Sequence, residues 1–355
     1  GMSMAIASPP TAEEQLVFLS KLQRLFVESS FTATYKFALL IALADLAVEI
    51  GSDDGDRLLL TTRQIAERFV QLYWRQATPY GVGRLGTSPG VLIQNSGKQA
   101  AVVAAIEVFR GHTQTATPQA ARAHADYQKL LSDVARTVSV QPLTYLQNFG
   151  GSTDAFLYER PDNSTVLLKP GVAYCLRRFQ SLVQQLARTH WVEHVKGNRL
   201  NHGILGEADD LEDFLFSTSR ESLLALGAEL RKIDGGKCFY CRDGLTTEDV
   251  DHFIPFSLYP RDLAHNFVLA HPGCNRSKSD TLAAKPHLER WIERLVIHSD
   301  ALAEAGQKAG MVVDVVVCRQ VARWGYTSAR VSGGHAWLAA AKYELIDDRY
   351  TALLG

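Results

Sequence analysis

Apolar residues recur every three or four positions over much of the first half of the chain, a spacing typical of amphipathic helices. The pattern predicts one helix over residues 13–30 and a second, rich in leucine and alanine, over residues 34–50. Thr61 and Gln64 have the spacing of a capping box, in which each side chain bonds the other's backbone. A third helix is therefore expected to start there and to end near Trp74.

Short strands interrupt this helical pattern. We expect strands at 58–60, 155–159 and 165–169, the last two joined as a hairpin by Pro-Asp-Asn-Ser. Further helices are expected at 99–109, 118–137, 172–195 and 219–233. The chain beyond Pro286 is mostly helical in pattern, and its run 311–317 suits either a strand or a buried helix. The fold class predicted is mainly α with a small α+β insertion.

A chain of 355 residues is long enough for two or three domains. The expected parts are a helical N-terminal domain at 1–150, a connector of a β-hairpin and a long helix at 151–218, a small α+β domain at 219–295 and a helical C-terminal region at 296–355. Residues 61–69 faintly resemble the start of a winged-helix unit, which would make the first domain a targeting region. An ordinary amphipathic helix with a solvated basic face is the alternative.

Composition excludes several classes of protein. The chain is 46% hydrophobic and 21% charged, so it is not a wholly disordered, collagen-like or disulfide-scaffold protein. Lysine and arginine number 37 against 38 acidic residues, a formal net charge of −1. Because no overall basic field attracts nucleic acid, such contact must be local or helped by a partner.

The apolar stretches are too short or too interrupted by charge to span a bilayer. No basic segment followed by an apolar stretch opens the chain, and the five cysteines are few and odd in number. Three of these cysteines share one short window, which favours a metal site in a reducing compartment over disulfides. We therefore expect a cytoplasmic protein without membrane contact.

Two short motifs supply metal ligands. Cys238 and Cys241 form a CxxC pair, and His271 and Cys274 form a second pair at the same spacing. Three thiolates and one imidazole suit a tetrahedral structural Zn²⁺. The alternative is two unrelated buried cysteines with a surface histidine.

Between and after these pairs lie Val-Asp251-His252-Phe-Ile-Pro, then Asn266-Phe-Val-Leu-Ala, then Asn275-Arg-Ser-Lys278-Ser-Asp. In this order and spacing the segment resembles the HNH endonuclease family, over residues 237–295. The resemblance implies a ββα-metal nuclease domain, in which a hairpin and one helix surround a catalytic divalent ion. It implies nothing about the other three-quarters of the chain.

The resemblance also implies a role for each matching residue. His252 would be the general base that takes a proton from water, since imidazole titrates near physiological pH. Asp251 and Asn275 would hold the catalytic ion, with Asp251 bending toward it at the end of its strand. Asn266 would hold the loop that carries His252 through backbone hydrogen bonds.

Arg276 and Lys278, one helical turn further on, would reach the phosphates of the nucleic acid. The chain departs from the commonest family pattern in having His271 in the zinc set and Asn275 as the last catalytic residue. A carboxylate with an amide oxygen is a hard ligand set, which favours Mg²⁺ or Mn²⁺ at the catalytic position.

The sequence thus predicts a metal-dependent HNH endonuclease that hydrolyses DNA phosphodiester bonds. By analogy with HNH proteins that carry helical regions, we expect a place in bacterial restriction or anti-phage defence. RNA stays open as a substrate, and so does a protein partner or an oligomer for targeting. One alternative is a zinc-stabilised nucleic-acid-binding module without catalysis. A second is a zinc metallopeptidase at His190, Glu193 and His194, which have the H-x-x-E-H spacing on one helix face.

Overall fold

A computed structural model describes residues 7–83, 85–207 and 210–355. Helices, with short 3-10 turns included, make up 56% of the described residues, and the sheets among these residues are small and antiparallel. The predicted fold class, mainly α with a small β part, is confirmed. Contacts divide the chain into two compact units, residues 1–217 and 218–355. The finer domain limits drawn from the sequence stay predictions.

The first unit is built mainly from helices. Among its described residues these are α1 (Ala12–Glu28), α2 (Tyr35–Ile50), α3 (Thr62–Trp74), α4 (Ala101–Thr113), α5 (Pro118–Arg122), α6 (Tyr127–Val140), α7 (Pro142–Tyr145), α8 (Val172–Arg178), α9 (Gln180–Gly197), α10 (His202–Leu205) and α11 (Leu211–Phe216). The strands are β1 (Leu58–Thr61), β2 (Asn148–Phe149), β3 (Ser152–Thr153), β4 (Tyr158–Glu159) and β5 (Thr165–Leu168).

Helix α2 forms the centre of the first unit, where it packs against α3, α8 and α9. It is apolar on nearly all sides, as expected of a helix surrounded by protein. Its two acidic residues are buried but paired: Asp45 and Glu49 both bind the guanidinium of Arg68. Asp45 also accepts hydrogen bonds from Gln180 and Gln184, at 3.0 and 2.8 Å. These partners offset the cost of burying charge.

The capping box expected at the start of α3 is present. Gln64 donates its backbone N–H to the Thr61 hydroxyl, and its side chain accepts from the Thr61 N–H. Strand β1 leads directly into α3 and pairs with β5, which pairs with β4. Helix α6 packs across α3. Within this arrangement of helices and a three-stranded sheet lie residues 61–69, the segment whose sequence faintly resembles the start of a winged helix.

Two helices predicted as continuous are broken. The segment expected to be helical over 118–137 divides into α5 and α6, because the chain turns at residues 123–126, where the His124 ring accepts the N–H of Asp126. The segment expected over 172–195 divides into α8 and α9 at Phe179, whose backbone leaves the helical region. Periodicity continues through such breaks, and it therefore does not reveal them.

The second unit carries the candidate chemistry on a hairpin. Its described elements are α12 (Arg220–Asp234), β6 (Asp249–His252), β7 (Phe267–Ala270), α13 (Pro272–Lys278), α14 (Lys285–Ile297), α15 (Ser299–Ala309), α16 (Val315–Val331), β8 (His335–Ala339), β9 (Lys342–Leu345) and α17 (Asp348–Leu353). Strands β6 and β7 are antiparallel, with Asp251 opposite Val268 and His252 opposite Phe267.

Apolar packing supports this hairpin from α12 and α15. Leu226 and Leu230 of α12 meet Phe267 and Leu269 of β7 in one buried cluster, which also includes Leu302 of α15. Elsewhere in the unit, the ring of Phe253 stacks on Trp291 of α14, with centroids 4.7 Å apart. The residue that follows β6 is therefore fixed by packing.

The C-terminal region differs in part from the sequence expectation. The ambiguous run 311–317 is not a strand, since α16 begins at Val315 after Asp314 caps the N–H of Val317. A hairpin of β8 and β9 follows, and the sequence analysis did not predict it. Trp337 of this hairpin is buried against the ring of His287. Among the described residues, no helix has the length and apolar character needed to cross a membrane.

Candidate metal centre and candidate active site

The four predicted zinc ligands lie together. The sulfur atoms of Cys238, Cys241 and Cys274 and a ring nitrogen of His271 are all within 4.8 Å of one another. Cys238 and Cys241 lie in the turn before β6, and His271 and Cys274 lie at the start of α13, directly after β7. The hairpin therefore brings the two pairs together. This group of three thiols and one imidazole could hold a metal ion such as zinc.

Hydrogen bonds fix which nitrogen of His271 faces the sulfurs. Its Nε2 lies 3.0 Å from the carbonyl oxygen of Gly244, while its Nδ1 lies 3.2 Å from the sulfur of Cys241 and 3.9 Å from that of Cys274. An Nε2–H that donates to a carbonyl leaves the Nδ1 lone pair for a metal. This second contact is the usual way in which a ligating histidine is oriented.

The surroundings of the thiols also suit a cation. Burial on its own raises the pKa of Cys238, but backbone N–H groups, including that of His271 at 3.4 Å, lower it to about 7. Burial and the sulfurs of Cys238 and Cys241 raise the pKa of Cys274 to about 12. A bound cation reverses that second effect, since it stabilises every thiolate of the group.

Asp251 is buried on the face of β6 that looks toward α13. Its Oδ2 accepts a 2.6 Å hydrogen bond from the hydroxyl of Tyr240 and lies 3.9 Å from the ammonium nitrogen of Lys278. Burial raises the pKa of Asp251, against the lowering effect of Lys278 and of the Tyr240 hydroxyl. Burial and the charge of Asp251 raise the pKa of Tyr240. The hydroxyl therefore keeps its proton and donates the hydrogen bond.

Lys278 lies elsewhere than the sequence analysis expected. Its side chain is fully buried, and its nitrogen donates to the carbonyl oxygen of His252 at 3.3 Å. The ammonium group also lies over the ring of Tyr240, 5.7 Å from its centroid. The expectation that Lys278 contacts phosphates at the surface is therefore corrected: its charge is directed inward at Asp251. Arg276, two residues earlier on α13, is exposed.

His252 has a carboxylate partner that the sequence analysis missed. The Nε2 of His252 lies 2.6 Å from Oδ1 of Asp262, and the imidazole packs on the rings of Phe256 and Phe267. Thr218 donates its hydroxyl to the other oxygen of Asp262. Asp262 lies in the loop between β6 and β7, ten residues after His252, where no motif marks it.

Asn266 holds the chain just beyond His252. Its amide bridges Ile254: the Ile254 N–H donates to Oδ1 at 2.8 Å, and Nδ2 donates to the Ile254 carbonyl at 2.9 Å. All of these groups are buried. Asn266 was expected to hold the loop that carries His252 through backbone hydrogen bonds. Its side chain makes these two bonds to Ile254, and its place in a catalytic site stays a prediction.

Asn275 lies next to a second carboxylate. Its Nδ2 donates to Oδ2 of Asp249 at 3.0 Å. Asp249 and Asp251 are two apart on β6 and share a face, and the charge of Asp249 raises the pKa of Asp251. The side chain of His252 lies on the opposite face of β6. Oxygen donors thus gather on one side of β6, and the His252–Asp262 pair lies on the other.

Comparison with known families concerns the other unit. A family described as "Domain of unknown function (DUF8808)" matches residues 16–215 by its sequence model, more than half of the 355 residues. The chain belongs to this family. Among curated proteins and among solved structures, nothing matches the chain. Both candidate sites of the second unit lie outside the DUF8808 region.

The H-x-x-E-H residues lie inside the DUF8808 region, on α9. The Nδ1 of His190 faces the carbonyl of Leu186 at 2.8 Å, and its ring packs on Phe26. The Nε2 of His194 faces the carbonyl of Phe31 at 3.1 Å. Among the described residues, the cysteine and histidine group of the second unit is the one set of three or more ligands close enough to share a metal ion.

Proposed function

We propose that the second unit is a metal-dependent nuclease of the HNH type that hydrolyses phosphodiester bonds in DNA. The observation that carries this proposal is the 2.6 Å pairing of His252 with Asp262 at the end of a hairpin whose strands also lead into the four-ligand group. A histidine oriented by a carboxylate is a common arrangement for a general base.

His252 would take the proton from the attacking water. When Nε2–H donates to Asp262, Nδ1 keeps its lone pair and can accept that proton. Asp262 then stabilises the imidazolium that forms. Asn266 keeps the segment after His252 in place, since its two bonds to Ile254 leave that backbone no freedom to shift.

The oxygen donors on the other face fit a hard divalent cation. Asp251, Asn275 and the neighbouring Asp249 offer carboxylate and amide oxygens, the ligands that Mg²⁺ and Mn²⁺ prefer. When bound, such a cation would supply positive charge for the leaving oxygen of a phosphodiester that lies across the end of β6, where the strand stops at His252. Lys278 balances the charge of Asp251 from within the protein, and Tyr240 holds its orientation.

The four-ligand group would hold a structural Zn²⁺. All four of its positions are protein ligands, which is the pattern of structural sites and leaves no place for a substrate. Tyr240 lies between Cys238 and Cys241, and Asn275 follows Cys274 directly. Zinc at these cysteines would therefore fix two residues of the active site.

Metal binding and cleavage together test the proposal. We expect wild type and His252→Ala to bind Mn²⁺, measured by electron paramagnetic resonance of the free ion, whereas Asp251→Ala loses this binding. Neither variant should cleave DNA. Mn²⁺ binding that persists in Asp251→Ala and in Asn275→Ala would contradict the assigned ligands.

The alternatives make different predictions. A binding module without catalysis would bind DNA and leave it uncleaved whichever divalent cation is added. A metallopeptidase at Glu193 would lose activity in Glu193→Ala and be unaffected by His252→Ala. The carbonyl and ring contacts of His190 and His194 favour a packing role over metal binding.

The DUF8808 unit would direct the nuclease to its target, as part of restriction or anti-phage defence. Helix α6 buries one face against α3 and leaves Lys129, Ser132 and Arg136 exposed on the other. Such a face, beside the hairpin of β4 and β5, suits contact with the DNA backbone. DNA, with RNA as the other nucleic acid to be tested, is the proposed partner.

A further inference from the structure

A cavity of about 270 Å³ lies beside the first cysteine pair of the second unit. Its wall includes four cationic side chains, those of Lys237, Arg242, Arg290 and Arg294. Two carboxylates, Asp234 and Glu293, also line it. The proposed hydrolysis uses none of these six side chains.

The two carboxylates balance only two of the four cations. Asp234 is already engaged by Arg294, whose Nε and Nη2 donate to its two oxygens at 3.0 and 2.8 Å. Arg294 is only 5% exposed, and its remaining nitrogen, Nη1, is buried without a hydrogen-bond partner among the described residues. The four cations and two carboxylates leave the cavity wall with a net formal charge of +2.

Among the described residues, the hydrogen-bond partners of Arg290 are neutral groups. Its guanidinium donates to the carbonyl oxygens of Phe239 and Tyr240, and one nitrogen lies 2.6 Å from Nδ1 of His287. It also lies over the Phe239 ring, 4.7 Å from the centroid. Burial and the positive charge of Arg242 both lower the pKa of Arg290. Arg242 and Arg290 are thus close enough to repel each other.

Lys237 and Arg242 are exposed at the cavity. Arg242 holds a left-handed backbone conformation, φ 72°, at the end of the cysteine turn. Neither side chain has a hydrogen bond or ion pair within the part of the chain that the structure describes. Both are therefore available to a ligand.

We propose that this cavity binds the phosphate group of a phosphate ester. An anion with several acceptor oxygens would relieve the repulsion among the cations, and arginine forks match phosphate geometry. The volume has room for the phosphate and the part of its ester next to it. Nucleic-acid backbone and free nucleotides both carry this group.

This site goes beyond the proposed hydrolysis, because it needs neither His252 nor a catalytic cation. It can therefore be tested with no Mg²⁺ or Mn²⁺ present. Failure of phosphate binding would leave the nuclease proposal untouched, and absence of cleavage would leave this one untouched.

Equilibrium dialysis of the zinc-loaded full chain against radiolabelled inorganic phosphate measures the site directly. We expect one phosphate per chain. In Lys237→Gln/Arg242→Gln, the binding should weaken by at least about tenfold, because two charge-assisted contacts are removed. The matched control is Arg323→Gln/Lys342→Gln, which removes two exposed cations of the same unit away from the cavity and should bind like wild type.

Zinc content is measured in both variants, since Lys237 and Arg242 flank zinc ligands. Should the first variant lose zinc, Ile297→Glu replaces it. Ile297 lines the cavity, is 63% exposed and lies far along the chain from the cysteines, and a carboxylate there should repel phosphate.

Competition identifies the source of the phosphate. Displacement by a 12-nucleotide DNA strand at lower concentration than by a deoxynucleoside monophosphate indicates the nucleic-acid backbone, and the reverse order indicates a free nucleotide. The proposal is overturned if wild type shows no saturable binding, if the cavity variant binds as well as the control, or if neither ester displaces phosphate.

Discussion

Replacing Asn266 by alanine tests whether one buried amide holds the segment beyond His252. The amide makes two hydrogen bonds to the backbone of Ile254, at 2.8 and 2.9 Å, and both residues are buried. Alanine would leave the Ile254 N–H and carbonyl without partners and without water. Each such buried group costs about 1–2 kcal/mol, so the local structure should lose about 2–4 kcal/mol.

Hydrogen exchange reports this loss at the Ile254 amide itself. At 1.4 kcal/mol for each factor of ten, the amide should exchange roughly 30- to 700-fold faster in Asn266→Ala than in wild type. DNA cleavage should fall in parallel, because His252 is carried by the loosened segment.

The first unit offers a matched control. Asn201 is also buried and bridges Ile93 in the same way, with Oδ1 2.7 Å from the Ile93 N–H and Nδ2 2.9 Å from its carbonyl. Asn201→Ala should speed exchange at Ile93 to a similar extent and leave cleavage unchanged. Unchanged exchange at Ile254 in Asn266→Ala, together with faster exchange at Ile93 in Asn201→Ala, would contradict the role assigned to the Asn266 amide.

Three further predictions concern the rest of the chain. Asp262→Asn should lower kcat by roughly 10- to 100-fold with little change in KM, since it misorients the base without touching DNA. A rise in KM as large as the fall in kcat would argue for a merely structural role. Zinc affinity, measured by competition with a chromogenic chelator, should rise with pH. Protons compete with zinc for the thiolate of Cys238, whose pKa is about 7, and more strongly for that of Cys274, whose pKa is about 12. A zinc affinity that does not change with pH would contradict thiolate ligation. Lys129→Ala/Arg136→Ala should weaken DNA binding and reduce its salt dependence in fluorescence anisotropy; unchanged binding would remove the first unit from targeting through α6.

Local sequence patterns predict the metal group well because its ligands come in short pairs. Two residues between ligands fix a turn, and the hairpin then needs only to bring two turns together. The cap of α3 is predictable for the same reason, since Thr61 and Gln64 are three apart.

Features that depend on tertiary packing are not visible in such patterns. Asp262 meets His252 only because of the path of the loop between β6 and β7. Lys278 was expected to contact phosphate at the surface, yet it is buried because Asp251 and Tyr240 form a polar site that its ammonium completes.

The β8–β9 hairpin was missed for a similar reason. Its strands are short and half-exposed, and what stabilises them is Trp337 packed against His287, 50 residues earlier in the chain. Breaks within helices, as at Phe179, also leave the apolar spacing almost unchanged.

Cleavage of supercoiled plasmid by wild type and by His252→Ala, in Mg²⁺, in Mn²⁺ and in EDTA, tests the central claim most directly. We expect wild type to cleave with either metal and EDTA to stop the cleavage, whereas His252→Ala should be inactive although it still binds zinc. Equal cleavage by both proteins, or cleavage that persists in EDTA, would contradict the assignment of His252 as the base of a metal-dependent nuclease.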